Sequence, residues 1–197
     1  GYDQRFTLRW TLANFYFRHE REPDFWKWFR LAAERSYDDR RALFQLAWRQ
    51  TQDTARIQAA LPGDAALQRA YLRFLLDENR LDATQAVATA NVIPNATPDD
   101  LSLLLDAAEK QLGAGRVGDA MALWNRMIER GLLGGRQPLD PSRGVFLSDP
   151  GLQNEPSALA FDWRLLWRSG VASYWKQGEF HIALDGRQSS PTELLEI

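Results

Sequence analysis

The sequence predicts a mainly α fold, an antiparallel helical-pair solenoid with a small C-terminal antiparallel β segment. Two observations carry that prediction. Between Asp64 and about Gly131, two helical hairpins match each other at an offset of thirty-six residues: Leu67 falls on Leu103, Leu76 on Leu112, Arg80 on Arg116, Leu81 on Val117, Val87 on Leu123 and Val92 on Ile128. Apolar positions and a turn arginine that recur together mark a stacked helical repeat. Beyond residue 158 the apolar period changes from helical spacing to alternation, the pattern of strands. A helical unit of this kind has an apolar face that it cannot bury alone, so neighbours stack and leave a long groove suited to holding another molecule.

The elements follow in order. Phe6, Trp10, Ala13 and Phe17 fall on one face of a helix over residues 3–18. The break Glu20-Arg21-Glu22-Pro23 restarts the chain at Asp24, and Phe25, Trp28, Phe29 and Ala32 make a second stripe reaching about Tyr37. Asp38 and Asp39 stand where a helix N-terminus favours negative charge, ahead of a third helix bearing Leu43, Leu46, Ala47 and Trp48. A shorter helix from Thr54 to Leu61 ends at Pro62-Gly63, after which Asp64 caps the first matched hairpin. The second opens at Thr97-Pro98-Asp99-Asp100: a capping hydroxyl, a proline at the first helical position and acids in the first turn. The helices thus pair as residues 5–37, 40–61, 64–94 and 98–131, with Leu76 and Leu112 in equivalent buried places.

The segment Leu112-Gly113-Ala114-Gly115-Arg116-Val117-Gly118-Asp119-Ala120 resembles the turn and second-helix opening of a tetratricopeptide unit, where a small residue packs between helices. Asn79-Arg80-Leu81-Asp82-Ala83 is a looser copy. The resemblance covers about the first 130 residues and implies a tetratricopeptide-like helical repeat domain over 1–131.

Gly131, Gly134, Gly135, Pro138, Pro141, Gly144, Pro150, Gly151 and Pro156 then crowd a stretch that argues for a linker or wrapping loop over 132–158. In the last segment, 159–197, Phe161, Trp163, Leu165 and Trp167 alternate with Asp162, Arg164, Leu166 and Arg168, and Phe180, Ile182 and Leu184 alternate with His181, Ala183 and Asp185. Two strands are expected there, with Ser173 to Lys176 supplying a third. Phe161-Asp162-Trp163-Arg164-Leu165 and the later Leu184-Asp185-Gly186 resemble the opening strands of jelly-roll modules found behind helical repeats in some exported bacterial proteins. That resemblance implies a bacterial protein in an extracytoplasmic place, periplasmic or cell-envelope, with the cytoplasm as the alternative. A complete jelly roll needs about eight strands, so this small β segment packs on the helices, pairs with another chain or is a truncated β-sandwich. The opening Gly1-Tyr2-Asp3, without methionine, reads as a fragment or processed form.

Composition narrows the function classes. The 197 residues are 45 % apolar and 25 % charged with net charge -2, ordinary for a globular protein. Ten Lys/Arg stand against seven Asp/Glu in residues 1–50, and fourteen against nineteen in the rest, too mild an asymmetry for a nucleic-acid partner. No apolar run of about 18 residues is present to span a membrane. Zero cysteines exclude disulfides, thiolate metal sites and a cysteine nucleophile.

Chemistry-bearing motifs mostly resolve into structure. Gly113-Ala114-Gly115-Arg116-Val117-Gly118 spells the glycine pattern of a dinucleotide-binding turn, but it follows a well-capped helix, and the nearest later glutamate, Glu129, is too close. His19 and His181 lie on different modules, and the carboxylates of Glu20, Glu22, Asp24, Asp99 and Asp100 read as charged turns and caps. Asn95-Ala96-Thr97 matches a glycosylation acceptor and doubles as a helix start. No catalytic residue, metal ligand or cofactor is assigned, and the protein is read as not an enzyme. A non-enzymatic scaffold that binds a protein or peptide partner in the helical groove is expected, with Asn14, Arg18, Trp26, Arg69 and Arg73 lining it; Trp10 and Trp28 belong to the core. The alternative is carbohydrate binding through Trp163, Trp167 and Trp175 of the β segment.

Overall fold

In the computed structural model, which describes residues 4–36, 40–176, 178–187 and 193–196, the apolar stripes are realised as eight α-helices among the described residues, with a small antiparallel β region at the end. The chain divides into two compact units, Gly1–Asn95 and Ala96–Ile197. The division falls inside the span read from sequence as one repeat domain.

The first unit holds α1 (Gln4–Arg18), α2 (Glu22–Ala33), α3 (Arg41–Gln50), α4 (Thr54–Ala60), α5 (Ala65–Asp77) and α6 (Leu81–Val87). The chain continues from α6 through a wider π turn, Ala88–Val92, into a 3-10 turn, Ile93–Asn95. Pro23 sits in the first turn of α2, which starts at Glu22, two residues before the expected restart. Asp53 and Asp64 cap α4 and α5, their carboxylates accepting from the Arg56 and Leu67 amides at 3.2 and 2.8 Å. The proposed capping role of Asp38 and Asp39 lies outside the described residues. Phe25, Phe29, Leu43, Phe44, Ile57, Leu67, Tyr71, Leu72 and Leu75 are fully buried. Each such apolar side chain contributes about 1.5–3 kcal/mol, and aromatic pairs such as Phe44 with Tyr71, at 5.1 Å, add to it.

Three of the helix–helix turns share one geometry. Glu20, Asn79 and Gly115 each adopt a left-handed conformation (φ 54, 53 and 75°), and each is followed by an arginine. The arginine amide returns to the preceding helix: Arg21 to Tyr16 at 3.0 Å, Arg80 to Leu75 at 2.9 Å and Arg116 to Gln111 at 2.9 Å. This closes the carbonyls that a helix end leaves open. Gly115 is the residue best suited to that backbone, whereas Glu20 and Asn79 carry its cost.

The second unit opens with a 3-10 turn, Pro98–Asp100, that leads into α7 (Leu101–Gly113), followed by α8 (Val117–Glu129). Both the amide and the hydroxyl of Thr97 donate to the buried Asp100 carboxylate, at 2.8 and 3.0 Å. Leu103, Leu104, Leu105, Ala107, Ala120, Leu123, Trp124 and Met127 form the helical core. Leu76 is buried, but its counterpart Leu112 is only half-buried.

Residues 132–158 wrap onto α8. Leu133 and Leu139 are buried, and the Asn125 amide clasps the backbone of Leu139 on both sides, donating to its carbonyl at 2.9 Å and accepting from its N–H at 2.8 Å. An ion pair between Arg136 and Asp162, at 2.7 Å and almost free of solvent, ties the start of this loop to its end.

The expected strand over 161–168 is corrected by the structure. Only Arg164–Leu165 (β1) is extended, pairing with Leu195–Glu196 (β4). Phe161 and Asp162 are both buried at a turn, which a strand alternating between two faces would not allow. The reason is chemical: Asp162 is drawn inward by Arg136 and by the amides of Ser157 and Trp163. The main β element is instead a hairpin of Val171–Lys176 (β2) and Glu179–Leu184 (β3), so the third strand expected at Ser173 starts two residues earlier.

Candidate functional site

Two of the groove candidates, Asn14 and Arg18, line an open concavity on α1. It encloses about 460 Å³ and is walled by Trp10, Thr11, Asn14, Phe15, Arg18 and His19. The helical spacing explains the set, since these residues recur three, four or five positions apart on one side of the helix. Trp10, expected in the core, is half-buried, and Trp28 is too. Phe15 is 48 % exposed and lies 4.2 Å from the His19 ring, while Leu8, two turns earlier, is 61 % exposed. The Asn14 amide donates to the Trp10 carbonyl at 2.9 Å, which fixes the side chain and leaves its oxygen as an acceptor. The wall therefore offers aromatic faces, an amide and a guanidinium together.

The other groove candidates lie elsewhere. Trp26 is half-buried, its indole N–H donates to Glu22 at 3.2 Å, and the Arg56 guanidinium covers its ring at 5.8 Å. Arg56 is also paired with Glu22 at 2.6 Å. Trp26 thus belongs to a surface cluster joining α2 and α4. Arg69 is half-buried and Arg73 exposed on α5, and both are already engaged within the protein. Trp26, Arg69 and Arg73 are absent from the described wall of the α1 cavity.

The three tryptophans of the C-terminal segment differ in role. Trp163 is half-buried and donates its indole N–H to the Asp149 carbonyl at 2.7 Å. Trp175 is half-buried opposite Phe180. Trp167 is 83 % exposed and stands on the rim of a cavity of about 420 Å³ formed with Gly170, Val171, Ala183, Leu184 and Asp185. Gly170 has φ +74°, and a Cβ there would meet the Asp185 carboxyl at 2.5 Å, so the glycine permits this close approach. Sequence alternation placed Trp163 and Trp167 on one face with Phe161; the buried turn at Asp162 separates them.

Asp149 is buried beside this segment. Burial pushes its carboxyl up, but the amides of Gln153 and Asn154, the Asn154 side chain and the Arg136 charge outweigh that and hold its pKa below the usual carboxylate range. The Gly113–Gly118 turn joins α7 to α8, so a helix stands where a dinucleotide site requires a strand. Among the described residues no group of three or more His, Asp or Glu side chains is arranged to hold a metal ion, and no helix is long and apolar enough to cross a membrane.

No family model, curated protein or solved structure matches this chain.

Proposed function

We propose that the chain is a non-enzymatic scaffold that binds a protein or peptide partner through the helical part. The observation that carries this reading is the α1 cavity, where exposed Phe15 and half-buried Trp10 stand beside the Asn14 amide and the Arg18 guanidinium. An aromatic anchor flanked by hydrogen-bonding groups is what a peptide side chain and its backbone require together. The turn geometry shared by the α1–α2, α5–α6 and α7–α8 hairpins supports a tetratricopeptide-like repeat with an extended binding surface, and the jelly-roll resemblance of the C-terminal segment supports a bacterial, exported protein.

The test is selection of a displayed random-peptide library on the full chain, followed by affinity measurement of the recovered peptides. Phe15→Ala with Arg18→Ala should weaken binding about tenfold or more, while the circular-dichroism spectrum stays unchanged because both residues are exposed. Recovered peptides that bind this double variant undiminished would reject the α1 cavity as the seat.

The second reading is carbohydrate binding, and the exposed Trp167 ring beside its cavity favours it. Soluble glycans would then quench tryptophan fluorescence saturably, and Trp167→Ala would abolish the response. A flat titration of the unaltered chain would remove this reading.

A further inference from the structure

We infer that a second cavity in the first unit, between α3 and the α5–α6 turn, is a binding site for a carboxylate, with Arg80 as its cation. This cavity, of about 220 Å³, is walled by Gln45, Trp48, Arg49, Phe74, Glu78 and Arg80. It shares no wall residue with the α1 cavity.

The inference starts from a missing partner. Three arginines occupy the same place just after the left-handed turn residue. Arg21 pairs with Asp24 at 2.6 Å and Arg116 with Asp119 at 2.9 Å, each acid three residues further along. The corresponding residue for Arg80 is Ala83, which is buried and has no carboxylate to give. Arg80 instead lays its guanidinium over the Trp48 ring at 4.3 Å. A cation over a π face keeps its N–H donors free for an in-plane acceptor.

One of those donors is unmet. The Arg80 Nε is buried and has no hydrogen-bond partner among the described residues, while the buried Trp48 indole N–H lies against the Tyr71 hydroxyl. Leaving such a group unpaired costs about 1–3 kcal/mol, so an acceptor reaching it is favoured. Nor can a neighbour serve as counter-ion. Burial holds the Tyr71 hydroxyl far above its ordinary pKa, against the smaller opposing effects of a hydrogen bond with Trp48 and the Arg80 charge, so it stays neutral. Glu78 is taken by Arg41 across the surface.

The chemistry selects the ligand class. A guanidinium edge matches a planar, singly charged carboxylate, and the Glu78 carboxylate on the same wall repels a doubly charged phosphate more strongly. The exposed Arg49 at the rim adds attraction at longer range.

The test follows the Trp48 indole N–H resonance of the full chain, assigned by its loss in Trp48→Phe. The probes are sodium acetate, a blocked peptide with one glutamate, the same peptide with glutamine, and sodium chloride at matched ionic strength. A saturable shift with acetate and with the glutamate peptide, or with the peptide alone, supports the site and tells a free carboxylate from a side-chain one. The glutamine peptide and chloride should leave the resonance in place. Arg80→Gln should weaken carboxylate binding about tenfold or more. Failure of both carboxylates to shift the resonance in the unaltered chain, or an equal shift by chloride or the glutamine peptide, would overturn the inference.

Discussion

Replacing Asp162 by asparagine removes one negative charge and little volume, which makes it the most informative single change in the second unit. Asp162 is 1 % exposed and its partner Arg136 is 9 % exposed, with 2.7 Å between Nη2 and Oδ2. The same nitrogen donates to the Glu155 carbonyl at 2.8 Å, and the Arg136 Nε is already buried with no hydrogen-bond partner among the described residues. Removing the carboxylate therefore strands a cation that solvent cannot reach. Breaking a buried pair in this way costs about 3–5 kcal/mol, a large part of the 5–15 kcal/mol that holds a typical domain together. Asparagine retains an oxygen for the Ser157 or Trp163 amide, so the loss reports charge more than hydrogen bonding. Urea unfolding followed by tryptophan fluorescence measures it, with Trp124 and Trp163 reporting from the same unit. Arg136→Leu supplies the second arm of a double-mutant cycle, and the double variant should cost at least about 2 kcal/mol less than the two singles combined. A coupling below about 0.5 kcal/mol would refute the argument that this pair clamps the loop.

Three further outcomes follow. Asp149 has a folded pKa below its unfolded value of about 3.9, so its ionised form favours folding. That stability is complete above the unfolded value and is lost as pH falls through the folded one. Acid titration of unfolding free energy should show this loss below about pH 4, and Asp149→Asn should flatten it. Asp100→Ala should cost about 1–2 kcal/mol in chemical denaturation, because the Thr97 amide and hydroxyl both lose their acceptor. Gly115→Ala should cost about 1 kcal/mol by the same assay, from its φ of +75° alone, since nothing lies within 4 Å of the added Cβ.

The helices were legible in the sequence because capping and periodicity act locally. Thr97-Pro98-Asp99-Asp100 announces the start of α7, Asp64 that of α5, and the stripe Phe25, Phe29, Ala32 predicts the buried face of α2. The C-terminal segment was less legible because tertiary charge overrode a local pattern. The alternation of Phe161 to Arg168 reads as a strand until Arg136, far away in the chain, pulls Asp162 inside. Of the candidate site, Asn14 and Arg18 were named among the groove residues and fall together on one helical face, whereas Phe15 and His19 were not singled out as their neighbours. Spacing along α1 would have found them, since Phe15 and His19 lie one turn apart and next to Asn14 and Arg18. Trp26 gave no such signal, because its partners Glu22 and Arg56 come from two helices. The cavity at Arg80 was hinted at by the aligned Arg116; the absence of an acid at Ala83 became meaningful only once Asp24 and Asp119 were seen paired.

The most direct test of peptide binding by the helical part is amide hydrogen exchange of the full chain, with and without the tightest peptide recovered by selection. The account predicts added protection centred on residues 10–19 of α1, with the β2–β3 hairpin unchanged. Protection confined to the hairpin, or a selection that yields no binding peptide, would contradict it.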